Sequence, residues 1–163
     1  MSQFSIDLSA QIAKIKGNID EAARQAVTEV AARIVERSPI GDATLWEKPE
    51  NKPKGYVGGH FRGNYQLGVG TIPDGTFDTI DPSGKVSMDR IKAAIPIQAS
   101  GKMYYLVNNL KYAQRLEDGY STQAPAGMVA LTVVEWKNIV DDAANNARNS
   151  DSSMTAGFEA YPI

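Results

Sequence analysis

The sequence contains no cysteine among its 163 residues. Disulfide bonds, thiolate nucleophiles and zinc–thiolate sites are therefore excluded. Histidine is almost as scarce, because His60 is the single one, and no nucleophile-elbow motif accompanies it. A lone histidine is more typical of a structural or solvated position than of a catalytic one. With no phosphate-binding loop or dinucleotide fingerprint either, the sequence predicts a protein that is not an enzyme and uses no cofactor or metal.

Long apolar runs are also missing. No stretch approaches the roughly 20 apolar residues that a membrane-spanning helix needs, and the start of the chain lacks the layout of a signal peptide. The formal net charge of −2 provides no overall attraction to nucleic acid or to an anionic membrane. A hydrophobic fraction of 42% with 22% charged residues is ordinary for a globular chain. We expect one domain that contacts no membrane and is used without export.

The first strong pattern predicts an amphipathic helix over residues 9–37, in which apolar residues recur three or four apart. Residues 2–8 alternate and predict a short strand or an irregular lead-in. Gly17 predicts a kink, and Pro39 predicts that the helix has ended by Ser38. The predicted buried stripe consists of Ile12, Ile15, Ile19, Ala23, Ala26, Val30 and Ile34.

Later patterns complete an α+β fold. They predict a strand over 63–72, a helix over 86–95, a strand over 103–107, helical turns over 110–118 and a second long helix over 128–148. The predicted architecture is a long N-terminal and a long C-terminal helix packed on a small, mostly antiparallel sheet, with long loops. Residues 1–150 are predicted to form a single domain, and 151–163 a C-terminal tail that is either frayed or bound to a neighbour. The second long helix is predicted to bury Met128, Leu131, Val134 or Glu135, Ile139 and Ala143, with Trp136 and Val140 widening the face.

A long polar loop at about 40–62 carries both aromatic and basic residues. Loops of this length are usually functional or disordered, and its aromatic residues argue against simple disorder. Two interpretations stay open, a solvated lysine-rich excursion and a docking loop. The basic residues also permit a nucleic-acid-binding module, and they are Lys48, Lys52, Lys54, His60 and Arg62.

The acidic residues do not predict a metal site or an acid–base pair. Asp74, Asp78 and Asp81 lack the spacing of a calcium-binding loop, so they are predicted to be solvated turn residues. Glu117 and Asp118 are neighbours whose side chains diverge on a helix. A helix-capping or interface role is the simpler prediction for them.

Residues 101–128 have the most changes of predicted secondary structure, because a strand, helical turns, a loop and the start of a helix follow one another closely. Its most specific residues are Asn108-Asn109, Tyr112-Ala113, Leu116-Glu117, Gly119, Ser121, Gln123-Ala124-Pro125 and Gly127-Met128. This string closely resembles the tail-completion, or neck, proteins of long-tailed bacteriophages and prophages. The Ser38-Pro39-Ile40-Gly41 helix exit and the Phe61-Arg62-Gly63-Asn64-Tyr65 lead into a strand are similar to that family as well.

The resemblance implies a structural protein of the virion. Members of the family assemble as a homo-oligomeric ring, typically a hexamer, which joins the portal or connector to the tail terminator or tail tube. DNA passes through the lumen without sequence-specific binding. The implied location is the neck of the virion, after assembly in the host cytoplasm. The candidate residues for contacts with subunits or partners are Trp46, Tyr56, Arg62, Asn109, Tyr112, Glu117, Ser121, Gln123, Pro125, Phe158 and Tyr161.

Overall fold

The computed structural model describes residues 3–46 and 48–155, and the side chains of 8–46 and 48–150. Seven helices and strands follow one another along these described ranges. They are α1 (Gln3–Arg37), β1 (Tyr65–Val69), α2 (Lys85–Ala94), β2 (Tyr104–Asn108), α3 (Ala113–Glu117), α4 (Val129–Val134) and α5 (Trp136–Thr155). Short 3-10 turns occupy Ala43–Leu45, Pro49–Asn51 and Arg62–Asn64.

The predicted α+β class is confirmed. β1 and β2 form a two-stranded antiparallel sheet in which Tyr65 lies opposite Asn108 and Val69 lies opposite Tyr104. α1 packs mainly on α5, and α2 packs along β1. The first strand is shorter than the alternating pattern predicts at both ends. The 3-10 turn Arg62–Asn64 takes up its beginning, and Gly70, which has a positive φ of 77°, follows its last residue.

One cluster of buried side chains joins the second half of α1 to the sheet, α2 and the start of α4. Its centre consists of Ala31, Ile34, Val35, Phe61, Tyr65, Ile91, Ala124 and Met128. Ile91 is completely buried, and burying a side chain of that size stabilises a fold by about 1.5–3 kcal/mol. A smaller cluster, formed by Ala26, Ile139 and Ala143, joins α1 to α5.

The start of α1 differs from the sequence prediction. Residues 2–8 are predicted as a strand or lead-in, but the helix already begins at Gln3 and runs through Gly17 without a break. A Cβ on Gly17 would meet nothing within 4 Å, so the glycine only costs propensity, about 1 kcal/mol, in an otherwise continuous helix. The predicted stripe is buried only in the second half of α1. Leu8, Ile12, Ile15 and Ile19 are about half exposed.

The second long helix, predicted over 128–148, also differs from its prediction, because it consists of two helices. α4 ends at Val134 and α5 begins at Trp136, while α5 continues to Thr155, beyond the predicted end at residue 148. The buried face is also different, because Thr132 is 2% exposed whereas Val134 is 84% exposed. Leu131, Trp136 and Val140 are exposed too.

Glu135 lies at this break. Its carboxylate accepts hydrogen bonds from the guanidinium groups of Arg33 and Arg37, the latter at 2.8 Å. Arg37 also donates to the Thr132 hydroxyl at 2.9 Å. The break therefore turns a polar face of α4 toward α1 and leaves its aliphatic face outside. Arg33 also pairs with Glu29, one turn earlier on α1, at 2.7 Å.

Asp81 corrects the prediction for the acidic loop. It is 2% exposed rather than solvated, and its carboxylate accepts from the Ser87 N–H at 3.0 Å and the Ser83 hydroxyl at 2.9 Å. The first bond satisfies a free N–H group in the first turn of α2. The Ser83 hydroxyl in turn accepts from the Lys85 N–H at 3.2 Å. Within the described residues no helix is long and apolar enough to span a bilayer.

Candidate partner-binding site

Two loops that lie far apart in the sequence enclose a hollow of about 490 Å³. We call residues 39–61 the first loop, residues 117–128 the second loop, and the space between them the aromatic hollow. Its lining includes Trp46, Tyr56, His60, Phe61, Tyr112 and Tyr120, together with Leu45, Leu116, Ser121 and Gln123.

The first loop is shaped by side chains packed on one another. The Trp46 and Tyr56 rings meet edge to face with their centroids 5.0 Å apart, an arrangement that adds about 0.5–1.5 kcal/mol to simple burial. The Tyr56 hydroxyl donates to the Gly41 carbonyl at 3.0 Å. Asp42 starts the turn at 43–45, where the Thr44 N–H donates to its carboxylate at 2.9 Å. The hydrogen bonds from Thr44 hold the pKa of Asp42 below its ordinary value.

Glu117, the first residue of the second loop, binds the backbone at the end of that loop through its carboxylate. Its two oxygens accept hydrogen bonds from the backbone N–H groups of Met128, Val129 and Ala130, at 2.9, 3.0 and 2.9 Å. These are the groups that a helix leaves unpaired at its start, so Glu117 caps α4 from a distance of more than ten residues in sequence. Desolvation raises the pKa of Glu117, but the three N–H bonds outweigh it and hold the pKa below its ordinary value.

Two glycines allow the second loop to close. Gly119 and Gly127 both have positive φ, 84° and 75°, which L side chains rarely adopt. A Cβ at Gly119 would lie 2.4 Å from the Pro125 carbonyl oxygen, and one at Gly127 would lie 2.6 Å from both a backbone and a side-chain oxygen of Glu117. The spacing of glutamate, glycine, proline and glycine in the second loop therefore has a steric reason.

Hydrogen bonds to Gln123 join the two loops, and Tyr112, which precedes α3, contacts the first loop. The Gln123 amide oxygen accepts from the Ile40 N–H at 2.9 Å, and the Tyr112 hydroxyl lies 3.2 Å from Nδ1 of His60. The Tyr112 ring also lies 5.9 Å from that of Phe61. His60 bonds the Phe77 carbonyl through Nε2 at 3.0 Å, so both of its ring nitrogens have partners within the fold.

Five of the residues singled out from the sequence are brought together here. Trp46, Tyr56, Tyr112, Ser121 and Gln123 all line the aromatic hollow. Glu117 lies behind it as the cap of α4. The sequence does not single out Leu45 and Tyr120, which are 55% and 64% exposed. Two features of the sequence could have indicated them. Leu45 directly precedes Trp46, and Tyr120 lies within the stretch 108–128 that resembles the neck proteins.

The other singled-out residues lie elsewhere. The Arg62 guanidinium donates to the carbonyl oxygens of Glu36, Ser38 and Pro82, at 2.6, 2.8 and 2.8 Å, and so binds the end of α1. Asn109 donates to the carbonyls of Pro73 and Gly75 and ties the 70–80 loop to the sheet. Pro125 is exposed on the second loop. Phe158 and Tyr161 lie outside the described residues.

The basic group is only partly available to a ligand. Lys48, Lys52 and Lys54 are exposed, whereas His60 and Arg62 are engaged within the fold as described above. Burial lowers the pKa of Arg62, which remains a cation at neutral pH.

The aromatic hollow has ring faces, one amide and hydroxyl groups, together with the Asp42 carboxylate and the His60 imidazole. Its ring faces can hold an apolar or aromatic side chain of another protein. In the part of the chain that the structure describes, no three His, Cys, Asp or Glu residues are grouped to hold a metal ion. Comparison of the chain with protein-family models, with curated proteins and with solved structures gave no match.

Proposed function

We propose that this chain is a non-catalytic structural protein of the neck of a long-tailed bacteriophage. It forms a homo-oligomeric ring, with six subunits, between the portal or connector and the tail terminator or tail tube. DNA passes through the lumen without sequence-specific contacts. The observation that carries the proposal is the aromatic hollow, because the string that resembles the neck proteins forms one of its walls.

The construction of the hollow supports an interface. The second loop presents Tyr120 and Ser121 on a backbone fixed by Glu117 and two glycines. A preorganised loop loses little conformational entropy when a partner binds, so a fixed, exposed aromatic rim favours recognition. The rim also contains Tyr112, which is 40% exposed, and aromatic residues are enriched among those that dominate binding energies.

A ring also requires two different complementary surfaces on each subunit. The aromatic hollow is one, and the exposed stripe of Leu8, Ile12, Ile15 and Ile19 is another. The stripe is distant from the hollow, because 22 helical residues separate Ile15 from the end of α1 at Arg37 and span about 33 Å. Two separated apolar surfaces fit a head-to-tail contact better than a single self-complementary patch does.

Electron microscopy tests the proposal. The purified chain is imaged alone and after mixing with the portal and tail-terminator proteins encoded in the same genome. We expect rings with a central lumen, and we expect the double variant Tyr112→Ala, Tyr120→Ala to form far fewer of them. Ile72→Ala is the matched control, because Ile72 is 66% exposed and does not line the hollow. Absence of rings with either partner would contradict the proposal.

The competing interpretation is a nucleic-acid-binding loop, and the exposed lysines of the first loop are the observation in its favour. It expects DNA binding that weakens as salt is raised and that is lost when Lys48, Lys52 and Lys54 are changed to glutamine. The neck proposal expects no measurable change in ring formation from the same triple variant. DNA binding and ring formation measured on the same triple variant therefore distinguish the two functions.

A further inference from the structure

Two helical surfaces of the chain expose apolar stripes with the same spacing. We call the first the α1 stripe. The second, the α4–α5 stripe, crosses the break at Glu135. In both stripes the successive members are four, three and four residues apart. The α1 stripe consists of Leu8, Ile12, Ile15 and Ile19, and the α4–α5 stripe consists of Val129, Val133, Trp136 and Val140.

The α4–α5 stripe is exposed along its whole length. Its four side chains are between 37% and 65% exposed. Glu135 keeps helical backbone angles, with φ −89° and ψ −2°, so the spiral of α4 continues into α5. Thr132 and Ile139 are buried and point to a different side of that spiral. The stripe therefore belongs to the surface of the subunit rather than to its core.

Alternating gaps of four and three residues are typical of a helix that packs on another helix. They place apolar side chains at the a and d positions of a heptad, which form the seam of a coiled coil. Each stripe fills four such positions and runs about 16 Å along its helix. The two stripes therefore match each other in spacing and in length.

The formal charges beside the two stripes are opposite. Residues 8–19 contain Lys14 and Lys16 and no acidic residue, which gives a net charge of +2. Beside the α4–α5 stripe, Glu135 is paired with arginines of α1. The residues that remain over 136–142 are Asp141 and Asp142 against Lys137, with a net charge of −1. Opposite charges favour contact between unlike stripes and disfavour the pairing of two α1 stripes.

We propose that the α1 stripe of one copy packs on the α4–α5 stripe of a second copy. Within one chain the stripes do not cover each other, because all eight side chains are exposed. α4 packs on the end of α1, where Arg37 donates to Thr132. Ile19, the last member of the α1 stripe, precedes Arg37 by 18 helical residues, which span about 27 Å. Each copy therefore gives one stripe and receives another, in a head-to-tail contact.

The α4–α5 stripe lies at the same end of the subunit as the aromatic hollow. The second loop leads directly into α4, and the first loop begins just after the end of α1. One end of each copy thus carries the hollow and the α4–α5 stripe, while the first half of α1 carries the α1 stripe. A contact between unlike surfaces closes into a ring when the rotation between subunits allows it. The inference therefore rests on the proposed function, and it names the helices that form its subunit contact.

Mixing two full-length variants tests the inference. Ile15→Lys places a charge on the α1 stripe, and Val133→Lys places one on the α4–α5 stripe. Both residues are more than half exposed, so thermal unfolding of each variant should show that the fold is retained. In sedimentation, each variant alone should associate at least tenfold more weakly than the unchanged chain. Mixed together, they should form a one-to-one dimer, because one unaltered stripe of each kind remains.

Control variants on the same helices locate the effect. Ala10→Lys and Leu131→Lys introduce the same charge at exposed positions outside the stripes. Each lies two residues after the first member of a stripe, and two residues turn a helix by about 200°. Association of these controls should equal that of the unchanged chain. Equal weakening by the stripe variants and the controls would overturn the inference.

Disulfide cross-linking gives a second readout, because the chain has no cysteine of its own. A disulfide requires Cα atoms within about 7 Å of each other. Val133→Cys should cross-link with Ile15→Cys when the helices are antiparallel, or with Ile12→Cys when they are parallel. Ala10→Cys and Leu131→Cys should not cross-link. Absence of both Val133 cross-links, or a cross-link only between two α1 stripes, would overturn the inference.

A chain that stays monomeric up to about 1 mM, or variants that do not complement each other on mixing, would also overturn it. These measurements use the purified chain alone. Rings that form normally with Val133→Lys in the presence of the portal and tail-terminator proteins would remove this inference and leave the neck function standing. Complementation of the two variants without any ring would keep the contact between the stripes and remove the neck function.

Discussion

The second loop is held through its backbone, whereas the first loop is held through its side chains. In the second loop, one carboxylate accepts hydrogen bonds from three N–H groups, and two glycines have positive φ angles that other residues rarely adopt. In the first loop, the contacts are the Trp46–Tyr56 ring pair and the bond from Tyr56 to Gly41. Backbone constraints leave few alternatives, so the second loop should be the rigid wall of the hollow and the first the adaptable one.

The largest effect should come from Gly127→Ala. The variant places a Cβ 2.6 Å from Glu117 oxygens in a region of positive φ, and both the overlap and the strain oppose the native loop. We expect a loss of about 3 kcal/mol in the free energy of unfolding, measured by urea denaturation. Gly70→Ala is the matched control, because its φ is 77° and its Cβ would meet nothing within 4 Å. That variant should lose only about 1–2 kcal/mol, and equal losses would contradict a steric role for Gly127.

Glu117→Gln should come next. Glutamine keeps the shape of the side chain but loses the charge that strengthens the three N–H bonds, so we expect a loss of about 1–2 kcal/mol. The expected local result is faster amide exchange at Val129 and Ala130. Asp118→Asn is the control, since Asp118 is exposed and, among the described residues, its side chain accepts only from the Gln114 side chain. If both variants leave the exchange of α4 unchanged, the carboxylate does not cap the helix.

The same residue predicts a dependence on pH. The pKa of Glu117 is lower in the folded chain than its ordinary value of 4.5. The stabilisation is therefore fully present above pH 4.5 and is lost as the pH falls through the lower, folded-state pKa. Unfolding free energies measured between pH 6 and pH 3 should decline less steeply for Glu117→Gln than for the unchanged chain. Parallel curves would show that Glu117 does not contribute to the acid sensitivity.

Some parts of the fold and of the site can be predicted from the sequence and others cannot. Strand alternation and the turn residues locate β1, β2 and the second loop, because their determinants are neighbours in the chain. The break at Glu135 depends on Arg33 and Arg37, about 100 residues earlier, and no local pattern shows it. The stripe from Ile12 to Ile19 shows which face of α1 is apolar, but periodicity does not tell whether another element covers that face.

A smaller effect is expected in the first loop. Tyr56→Phe removes the hydroxyl that donates to the Gly41 carbonyl and keeps the ring that packs on Trp46. The loss in global stability should be about 1 kcal/mol or less. The clearer result should be local, with faster amide exchange across the first loop and a more mobile Trp46 in fluorescence anisotropy. Because the contacts of the second loop do not involve this hydroxyl, exchange at Val129 and Ala130 should stay the same. A matching increase there would mean that the two loops open together.

The smallest effect concerns Tyr120, at the rim of the aromatic hollow. The Arg115 guanidinium lies 3.4 Å from the centroid of the Tyr120 ring, and at an exposed site such a contact contributes about 0.5 kcal/mol. Arg115→Gln should therefore leave urea denaturation almost unchanged. Its effect belongs to the surface, because Tyr120 would sample more rotamers and cost more entropy to fix when a partner binds. Ring formation should fall by a few-fold, with Lys111→Gln as a control that removes a nearby charge without a ring contact. Equal ring formation by the two variants would mean that the orientation of Tyr120 does not matter and that the adaptable first loop carries the recognition.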